Sequence, residues 1–174
     1  LPVLRRRPAG RTRGCLLRST PETSRRLRSQ IRESPDSPGR FIFLTAQAAA
    51  KAMVKQGQGG VIINTASMSG HIINVPQQVS HYCASKAAVI HLTKAMAVEL
   101  APHKIRVNSV SPGYILTELV EPYTEYQPLW EPKIPLGRLG RPEELAGLYL
   151  YLASEASSYM TGSDIVIDGG YTCP

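Results

Sequence analysis

Apolar positions along the chain follow a helical period in some stretches and form short continuous runs in others, from residue 41 onward. The alanine-rich run FIFLTAQAAAKAMVKQ is typical of a helix, and the glycine directly after it, Gly57, is a residue that commonly ends one. A second helix is predicted over residues 79–100. Its apolar residues recur three or four positions apart on one face, which predicts burial in a core: Val89, Leu92, Met96 and Leu100.

Three short runs rich in β-branched residues are typical of buried parallel strands, at 61–63, 105–110 and 163–167. Another helix is predicted to open at Arg141-Pro142-Glu143-Glu144, because proline suits the first helical position and acidic residues suit the first turn. Residues 114–136 are rich in Pro and Glu and predict a long mobile loop. The alternation of helices and strands predicts an α/β fold: a doubly wound, Rossmann-like parallel sheet with right-handed crossovers and helices on both faces.

Residues 1–40 differ in composition from the rest of the chain. They contain eleven Arg and three acidic residues, whereas residues 41–174 are close to neutral, so the net charge of +7 comes from this segment. A segment rich in Arg, Ser and Pro, with no hydrophobic period, cannot bury enough apolar surface to fold. We therefore predict that residues 1–40 are disordered or foreign to the fold, and that residues 41–174 belong to one domain.

Three interpretations of residues 1–40 stay open. An Arg- and Ser-rich, acid-poor segment is typical of a mitochondrial presequence, although prolines interrupt any long amphipathic helix here. A basic arm could contact nucleic acid or an anionic membrane through arginine. The segment could also be sequence without a selected function, such as a misassembled start. The near-neutral remainder gives no support to nucleic-acid binding, and we expect neither a nucleic-acid nor a membrane partner.

Cysteine, histidine and hydropathy patterns narrow the class of protein further. Cys15, Cys83 and Cys173 lack the spacing of zinc or redox motifs, and the four histidines form no metal-binding pair, so no metal is expected. The histidines are expected at surfaces. No apolar run approaches the ~18 residues that a membrane helix needs. We therefore expect a cytoplasmic protein.

The strongest chemical signal is Tyr82-x-x-x-Lys86 in the second helix, with Ser67 upstream in INTASMSG. Residues four apart on a helix lie on one face, one turn apart. A cation within ~4–6 Å of a phenol favours the ionised form, so this tyrosine could exchange a proton with a substrate oxygen near neutral pH. A serine hydroxyl on the same oxygen would orient it and stabilise its developing charge.

Together with their flanking sequence, these residues resemble the short-chain dehydrogenase/reductase family. The family's motifs correspond to Asn64-x-x-Ser67, Tyr82-x-x-x-Lys86 and Pro112-Gly113-x-x-x-Thr117, and the resemblance covers residues 41–174. The closing run DIVIDGGYTCP is similar to fungal members that act on sugars and polyols, namely mannitol and arabinitol dehydrogenases and sorbose and L-xylulose reductases.

The resemblance implies an NAD(P)-dependent oxidoreductase that transfers a hydride between nicotinamide and a sugar alcohol, a ketose or a related carbonyl compound. It assigns catalysis to Ser67, Tyr82 and Lys86, with Tyr82 as the general acid/base. It implies NADP or NAD as the cofactor, with NADP favoured, and a homodimer or homotetramer in the intact family member. The cofactor-binding residues that it implies are Tyr82, Lys86, Pro112, Gly113, Ile115 and Thr117.

We interpret the 114–136 segment as a substrate lid, and its aromatic residues are candidate wall residues of the substrate site. A contact with another subunit would explain these aromatic residues equally well. They are Tyr114, Tyr123, Tyr126 and Trp130. We interpret Asp168-Gly169-Gly170 as structural.

The sequence departs from the family before residue 40. It has no Gly-rich turn of the Thr-Gly-x-x-x-Gly-x-Gly type, which brings the backbone close to the cofactor pyrophosphate, and the family's helix asparagine falls at Pro38. The adenosine-binding half of the domain is therefore predicted to be missing, which leaves a partial sheet. The alternative function is a catalytically inactive fragment that at most associates with intact subunits. We expect the chain alone to aggregate or to form a mixed oligomer, and to bind cofactor too weakly to detect.

Overall fold

The computed structural model of the protein describes residues 38–118 and 120–173, and the predictions for residues 1–37 lie outside that part. Its helices and strands, in chain order, are α1 (Pro38–Gln56), β1 (Gly60–Thr65), α2 (Ser80–Leu100), β2 (Ile105–Pro112), α3 (Gln127–Trp130), α4 (Glu143–Ala153) and β3 (Asp164–Ile167). Short 3₁₀ helices connect several of them. None of the helices in this part combines the length and the apolar character that a membrane crossing requires.

The strands of the described part form a three-stranded parallel sheet in the order β1-β2-β3. Gly60 pairs with Ile105 at the start of β1, and Ser109 pairs with Asp164 at the start of β3. Both β1 and β2 extend further toward their carboxyl ends than their apolar runs predicted, because polar residues continue each strand. The predicted α/β class with a parallel sheet is confirmed.

Helices cover both faces of this sheet. Alternate residues of a strand point to opposite faces, so the last two residues of β1 show which helix lies on which side. Asn64 Nδ2 donates to Thr93 Oγ1 of α2 at 2.9 Å, whereas Thr65 Oγ1 lies 2.8 Å from the Tyr149 hydroxyl of α4. The helix α2, with α1 packed against it, therefore covers one face, and α4 covers the other.

An aliphatic cluster forms the core between α1, α2 and the first two strands. Its buried members are Ala46, Ala50, Ile62, Met96, Ala97, Ile105 and Val107, with Met53, Leu92 and Leu100 packed against them. The apolar stripe predicted for α2 is therefore confirmed, since Val89 is also fully buried. Small alanine side chains from α1 allow this helix to approach the sheet closely.

An aromatic cluster is centred on the segment that the sequence predicted as a long loop. Its buried members are Met68, Tyr114, Trp130, Ile134 and Leu139, with Val120, Tyr126 and Tyr171 packed against them. The loop prediction is wrong in part, because this segment holds 3₁₀ helices at Glu121–Tyr126 and Glu131–Lys133 as well as α3. Proline disrupts helix interiors but fits a first turn, and Pro128 and Pro132 both lie in first turns.

Candidate active site

A cavity of about 430 Å³ opens at the carboxyl ends of β1 and β2. This end of an open parallel sheet is where ligands usually bind. One part of its wall consists of residues 65–69, which begin at the last residue of β1, and another consists of residues 112–115, which begin at the last residue of β2. Further lining residues come from the loop before α2, from α2 itself, from the turn after β2 and from the aromatic cluster, among them Asn74, Gln77, Tyr82, Lys86, Thr117 and Trp130.

Ser67 lies just after β1 and caps the 3₁₀ helix Met68–Gly70. Its side chain is buried in the cavity wall, and its Oγ accepts a hydrogen bond from the Ser69 N–H at 3.1 Å. Because this contact uses Oγ as the acceptor, the hydroxyl proton is available to an oxygen atom bound in the cavity.

Tyr82 and Lys86 line the cavity from the first turns of α2. Lys86 is buried, and its Nζ lies 5.6 Å from the centroid of the Tyr82 ring. The same Nζ donates to the Thr65 carbonyl oxygen at 2.9 Å, which ties α2 to the end of β1, next to the loop that carries Ser67. Burial lowers the pKa of Lys86, since desolvation disfavours the charged ammonium.

The four cofactor-binding residues predicted after β2 line the same cavity. Pro112 ends β2, Gly113 follows it, and Ile115 forms an isolated bridge with Gly140. Thr117 is exposed and lines the cavity. The structure therefore brings every residue of the predicted catalytic and cofactor sets to one cavity.

Gly113 has no room for a side chain. A Cβ atom at this position would clash with the Met68 side chain and would lie 2.7 Å from Asp168 Cβ. Asp168 is itself buried, and its carboxylate accepts hydrogen bonds from the N–H groups of Gly170 at 2.9 Å and Thr172 at 2.8 Å. A glycine after β2 thus lets the Ser67 loop and the C-terminal turn pack against each other.

Two amide side chains of the cavity wall were not identified from the sequence. Asn74 Nδ2 donates to the Tyr114 hydroxyl at 3.0 Å, and this hydroxyl donates to Gln77 Oε1 at 2.8 Å. Asn74 is buried and Gln77 is half-buried. Their only signal in the sequence is the run INVPQQ between Ser67 and Tyr82, and its spacing matches no catalytic motif.

Aromatic rings form the opposite part of the wall. Tyr114, Tyr123 and Trp130 line the cavity, whereas Tyr126 stacks on Trp130 with ring centroids 5.9 Å apart. The rings of Tyr114 and Trp130 are nearly parallel, with centroids 4.0 Å apart and an interplanar angle of 9°. Burial raises the pKa of Tyr114, so its hydroxyl stays protonated and can donate.

A buried carboxylate next to this region was also not predicted from the sequence. Asp164 accepts hydrogen bonds from Ser109 Oγ at 2.5 Å and Ser111 Oγ at 2.8 Å, and its Oδ2 lies 2.7 Å from His71 Nε2. His71 therefore connects the turn after Ser67 to β3, a contact that the expected surface position did not predict. Nothing in the linear sequence relates these residues, because the pairing of β2 with β3 brings them together.

The fold and the site together define a class of protein: a parallel α/β sheet with Ser67, Tyr82 and Lys86 gathered at the carboxyl ends of its strands. Comparison with known proteins gives the family. A family model described as enoyl-(acyl carrier protein) reductase matches residues 39–172. The chain belongs to the short-chain dehydrogenase/reductase family, whose members among its relatives are oxidoreductases.

Three similar proteins illustrate the relationship. The sorbose reductase of Schizosaccharomyces pombe is 58% identical over 130 residues, which are 74% of this chain and 50% of that protein. The crystal structure of a short-chain type dehydrogenase/reductase from Mycobacterium marinum is 86% identical, with a TM-score of 0.75, and the match covers 76% of this chain and 52% of that one. A gluconate 5-dehydrogenase from Burkholderia cenocepacia, crystallised with NADP and tartrate, is 34% identical with a TM-score of 0.72, over 76% of this chain and 52% of that one. The chain thus spans about half the length of the relatives it matches.

Proposed function

We propose that the chain carries the catalytic part of an NAD(P)-dependent oxidoreductase that interconverts a sugar alcohol and a ketose, or a related carbonyl compound. The observation that carries this proposal is the convergence of Ser67, Tyr82 and Lys86 on one cavity at the carboxyl ends of β1 and β2. A sorbose reductase among the relatives supports the choice of substrate class.

The three side chains divide the chemistry of carbonyl reduction. Tyr82 acts as the general acid, so its phenol O–H bond breaks as the substrate oxygen gains the proton. Ser67 donates its free hydroxyl proton as a hydrogen bond to that same oxygen and stabilises the negative charge that develops there. Lys86 places a positive charge beside the Tyr82 ring, 5.6 Å from its centroid, and supports the tyrosinate that is left. In the oxidative direction Tyr82 takes the proton back.

The residues present fit the nicotinamide end of the cofactor. An ammonium group has three N–H donors, and Lys86 uses one of them on Thr65, which leaves donors for ribose hydroxyls. Thr117 offers an exposed hydroxyl, and the backbone of Pro112, Gly113 and Ile115 lines the cavity beside it. A bound nicotinamide supplies or accepts the hydride. We favour NADP, because NADP is bound in the related gluconate 5-dehydrogenase.

We further propose that the working form is a homodimer or homotetramer. Large apolar side chains are exposed on α1 and α2, including Phe41 at 65% and Val98 at 78% of their full accessible surface. A second copy of the chain packed on these helices would remove them from water. The cytoplasmic location expected from the sequence stays a prediction.

A second candidate function is an inactive fragment that associates with intact subunits. Two observations favour it: the chain spans about half the length of its relatives, and β1 is an edge strand in the described part of the sheet. An edge strand presents unpaired N–H and C=O groups to a partner. In this case the Ser67, Tyr82 and Lys86 site would be present but not used by the chain alone.

Turnover measurements on two proteins separate these candidates. The first protein is the 174-residue chain, and the second is a hybrid enzyme in which the nucleotide-binding half of the S. pombe sorbose reductase precedes residues 41–174. We expect no cofactor binding by the chain in calorimetric titrations, and NADPH-dependent reduction of L-sorbose or D-fructose by the hybrid enzyme. A folded hybrid enzyme that binds NADPH but reduces no ketose would contradict the first candidate, whereas turnover by the chain alone would contradict the second.

A further inference from the structure

A series of three hydrogen bonds, each with a defined donor and acceptor, determines how the Gln77 amide group faces the cavity. The Cys83 thiol donates to Asn74 Oδ1 at 3.8 Å, and Asn74 Nδ2 donates to the Tyr114 hydroxyl at 3.0 Å. The Tyr114 hydroxyl in turn donates to Gln77 Oε1 at 2.8 Å. Cys83 and Asn74 are both buried, so this arrangement is shielded from competing water.

The direction of these bonds determines which end of Gln77 is free. A phenol has a single proton to donate, and Tyr114 keeps it because burial raises the pKa of its hydroxyl. The hydroxyl accepts from Asn74 Nδ2 and donates its proton to Gln77 Oε1, so the amide oxygen of Gln77 faces Tyr114. The amino group of Gln77 is left with two N–H donors, and no side chain or backbone group of the described residues bonds to it.

The free amino group belongs to a wall that is otherwise largely apolar. Gln77 is half-buried and lines the same cavity as Ser67 and Tyr82, beside apolar residues such as Val79 and Leu145. A donor in such a wall favours a ligand with an oxygen to accept its hydrogen bond, because a ligand that lacks one leaves the donor desolvated and unpaired.

We propose that Gln77 is a specificity-determining residue whose Nε2 donates to a second oxygen of the substrate, while Ser67 and Tyr82 hold the oxygen that reacts. The site therefore selects hydroxylated ketones and polyols over ketones that lack hydroxyl groups. This inference rests on the proposed function, since it names a second contact within the same site.

Trp130 provides a direct measurement of binding that does not depend on turnover. It is the only tryptophan of the chain, and its ring stacks on Tyr114, whose hydroxyl orients Gln77. The experiment titrates the 174-residue chain with D-fructose, L-sorbose and 2-hexanone, with and without NADP, and follows tryptophan fluorescence. 2-Hexanone has the same carbon skeleton and carbonyl position as the two ketoses but carries no hydroxyl group.

The variants are Gln77→Met, which keeps the side-chain length and removes the amide, and Gln78→Met, the matched control at an exposed neighbour. Loss of one hydrogen bond predicts that Gln77→Met weakens ketose binding by about three- to tenfold and leaves 2-hexanone binding unchanged. Gln78→Met should bind all three ligands as the unchanged chain does. Tyr114→Phe should weaken ketose binding by a smaller factor, because the Gln77 amide is then no longer oriented.

Three outcomes would overturn the inference. Unchanged ketose binding by Gln77→Met would show that the amide makes no contact with the substrate, while the proposed function would stand. Equal weakening for 2-hexanone would show that the residue only maintains the shape of the wall. Binding of neither ketose by the unchanged chain, with or without NADP, would show that its cavity wall makes no substrate contact of its own and would overturn the role of Gln77, whereas turnover by the hybrid enzyme decides the proposed substrate class.

Discussion

The two sides of the cavity are built in different ways. The reaction side (Ser67, Tyr82 and Lys86) is carried by the end of β1 and by α2, which pack on the aliphatic cluster. The aromatic side (Tyr114 and Trp130 with their neighbours in the aromatic cluster) is carried by short turns after β2. One side therefore depends on long regular elements, and the other depends on contacts between large rings.

Under the proposed function, this difference separates the chemistry of the reaction from the selection of the substrate. On the reaction side, hydrogen bonds join α2 to β1, from Lys86 to Thr65 and from Asn64 to Thr93, so the side chains to which we assign the reaction are held in one geometry. On the aromatic side, stacking contacts shape the wall and leave its exposed rim open to substitution. We expect changes on the reaction side to affect every substrate, and changes on the aromatic side to affect which substrate binds.

The largest effect is expected from Tyr82→Phe in the hybrid enzyme. The ring is retained and the transferable proton is lost, so ketose reduction should fall by at least the ~10²–10⁴-fold that lost acid–base catalysis usually causes. The measurement is kcat/KM for D-fructose and for a ketone without hydroxyl groups, both of which should fall together.

Tyr159→Phe is the matched control, since Tyr159 is fully exposed and lies outside the cavity lining. It should retain normal turnover. Near-normal turnover by Tyr82→Phe would show that Tyr82 is not the general acid. A loss of turnover with only one of the two substrates would show that a residue of the reaction side also affects substrate choice.

Trp130→Ala tests the aromatic side. Trp130 is 1% exposed and stacks on Tyr114, so its removal should cost about 3–5 kcal/mol of the free energy of unfolding in the chain or the hybrid enzyme. Urea denaturation followed by circular dichroism measures this value. Trp130→Phe should recover most of the loss, because a stacked ring remains. This change also removes the buried indole N–H, which has no hydrogen-bond partner in the described part of the chain. A loss below about 1 kcal/mol for Trp130→Ala would show that the rings do not hold this wall together.

Ile62→Val examines the aliphatic cluster beneath the reaction side. Ile62 is buried between α1, α2 and β2, and removal of one methyl group there should cost about 0.5–1.5 kcal/mol of the free energy of unfolding. Because the cavity is not lined by Ile62, the ligand response of Trp130 fluorescence should be unchanged. A shifted ligand affinity in this variant would mean that the two sides are coupled through the core.

The two sides of the cavity also differ in how well the sequence predicts them. An alanine-rich run predicted α1, periodic apolar positions predicted α2, and short runs of β-branched residues predicted the strands. The spacing of Tyr82 and Lys86 placed both residues on one face of α2. The aromatic side has no period, and the prolines that suggested a loop occupy first turns of short helices instead. Contacts such as Gln77 with Tyr114 join residues far apart in the chain, and only the folded arrangement of the loops after β1 and β2 brings them together.

The smallest expected effect concerns the point where the aromatic side joins α4. Glu144 accepts two hydrogen bonds from the Arg138 guanidinium, at 2.7 and 2.8 Å, and one from the Arg141 N–H at 2.8 Å, beside the buried Leu139 of the aromatic cluster. These contacts, Arg138 foremost, lower the pKa of Glu144 from its usual 4.5 to about 2. A carboxylate with a lowered folded-state pKa stabilises the fold above its unfolded pKa, and this contribution is lost as the pH falls through the folded value.

Glu144→Gln should therefore lower the Tm slightly at neutral pH, and the difference from the unchanged chain should shrink as the pH falls from 4.5 toward 2. Salt should reduce the difference as well, because the ion pair is exposed. Glu143→Gln is the control at the neighbouring exposed acid of the same helix turn, and it should leave the Tm at neutral pH unchanged. A Tm difference that stays constant across this pH range would show that Glu144 acts through packing, and that the junction of the aromatic side with α4 does not depend on its charge.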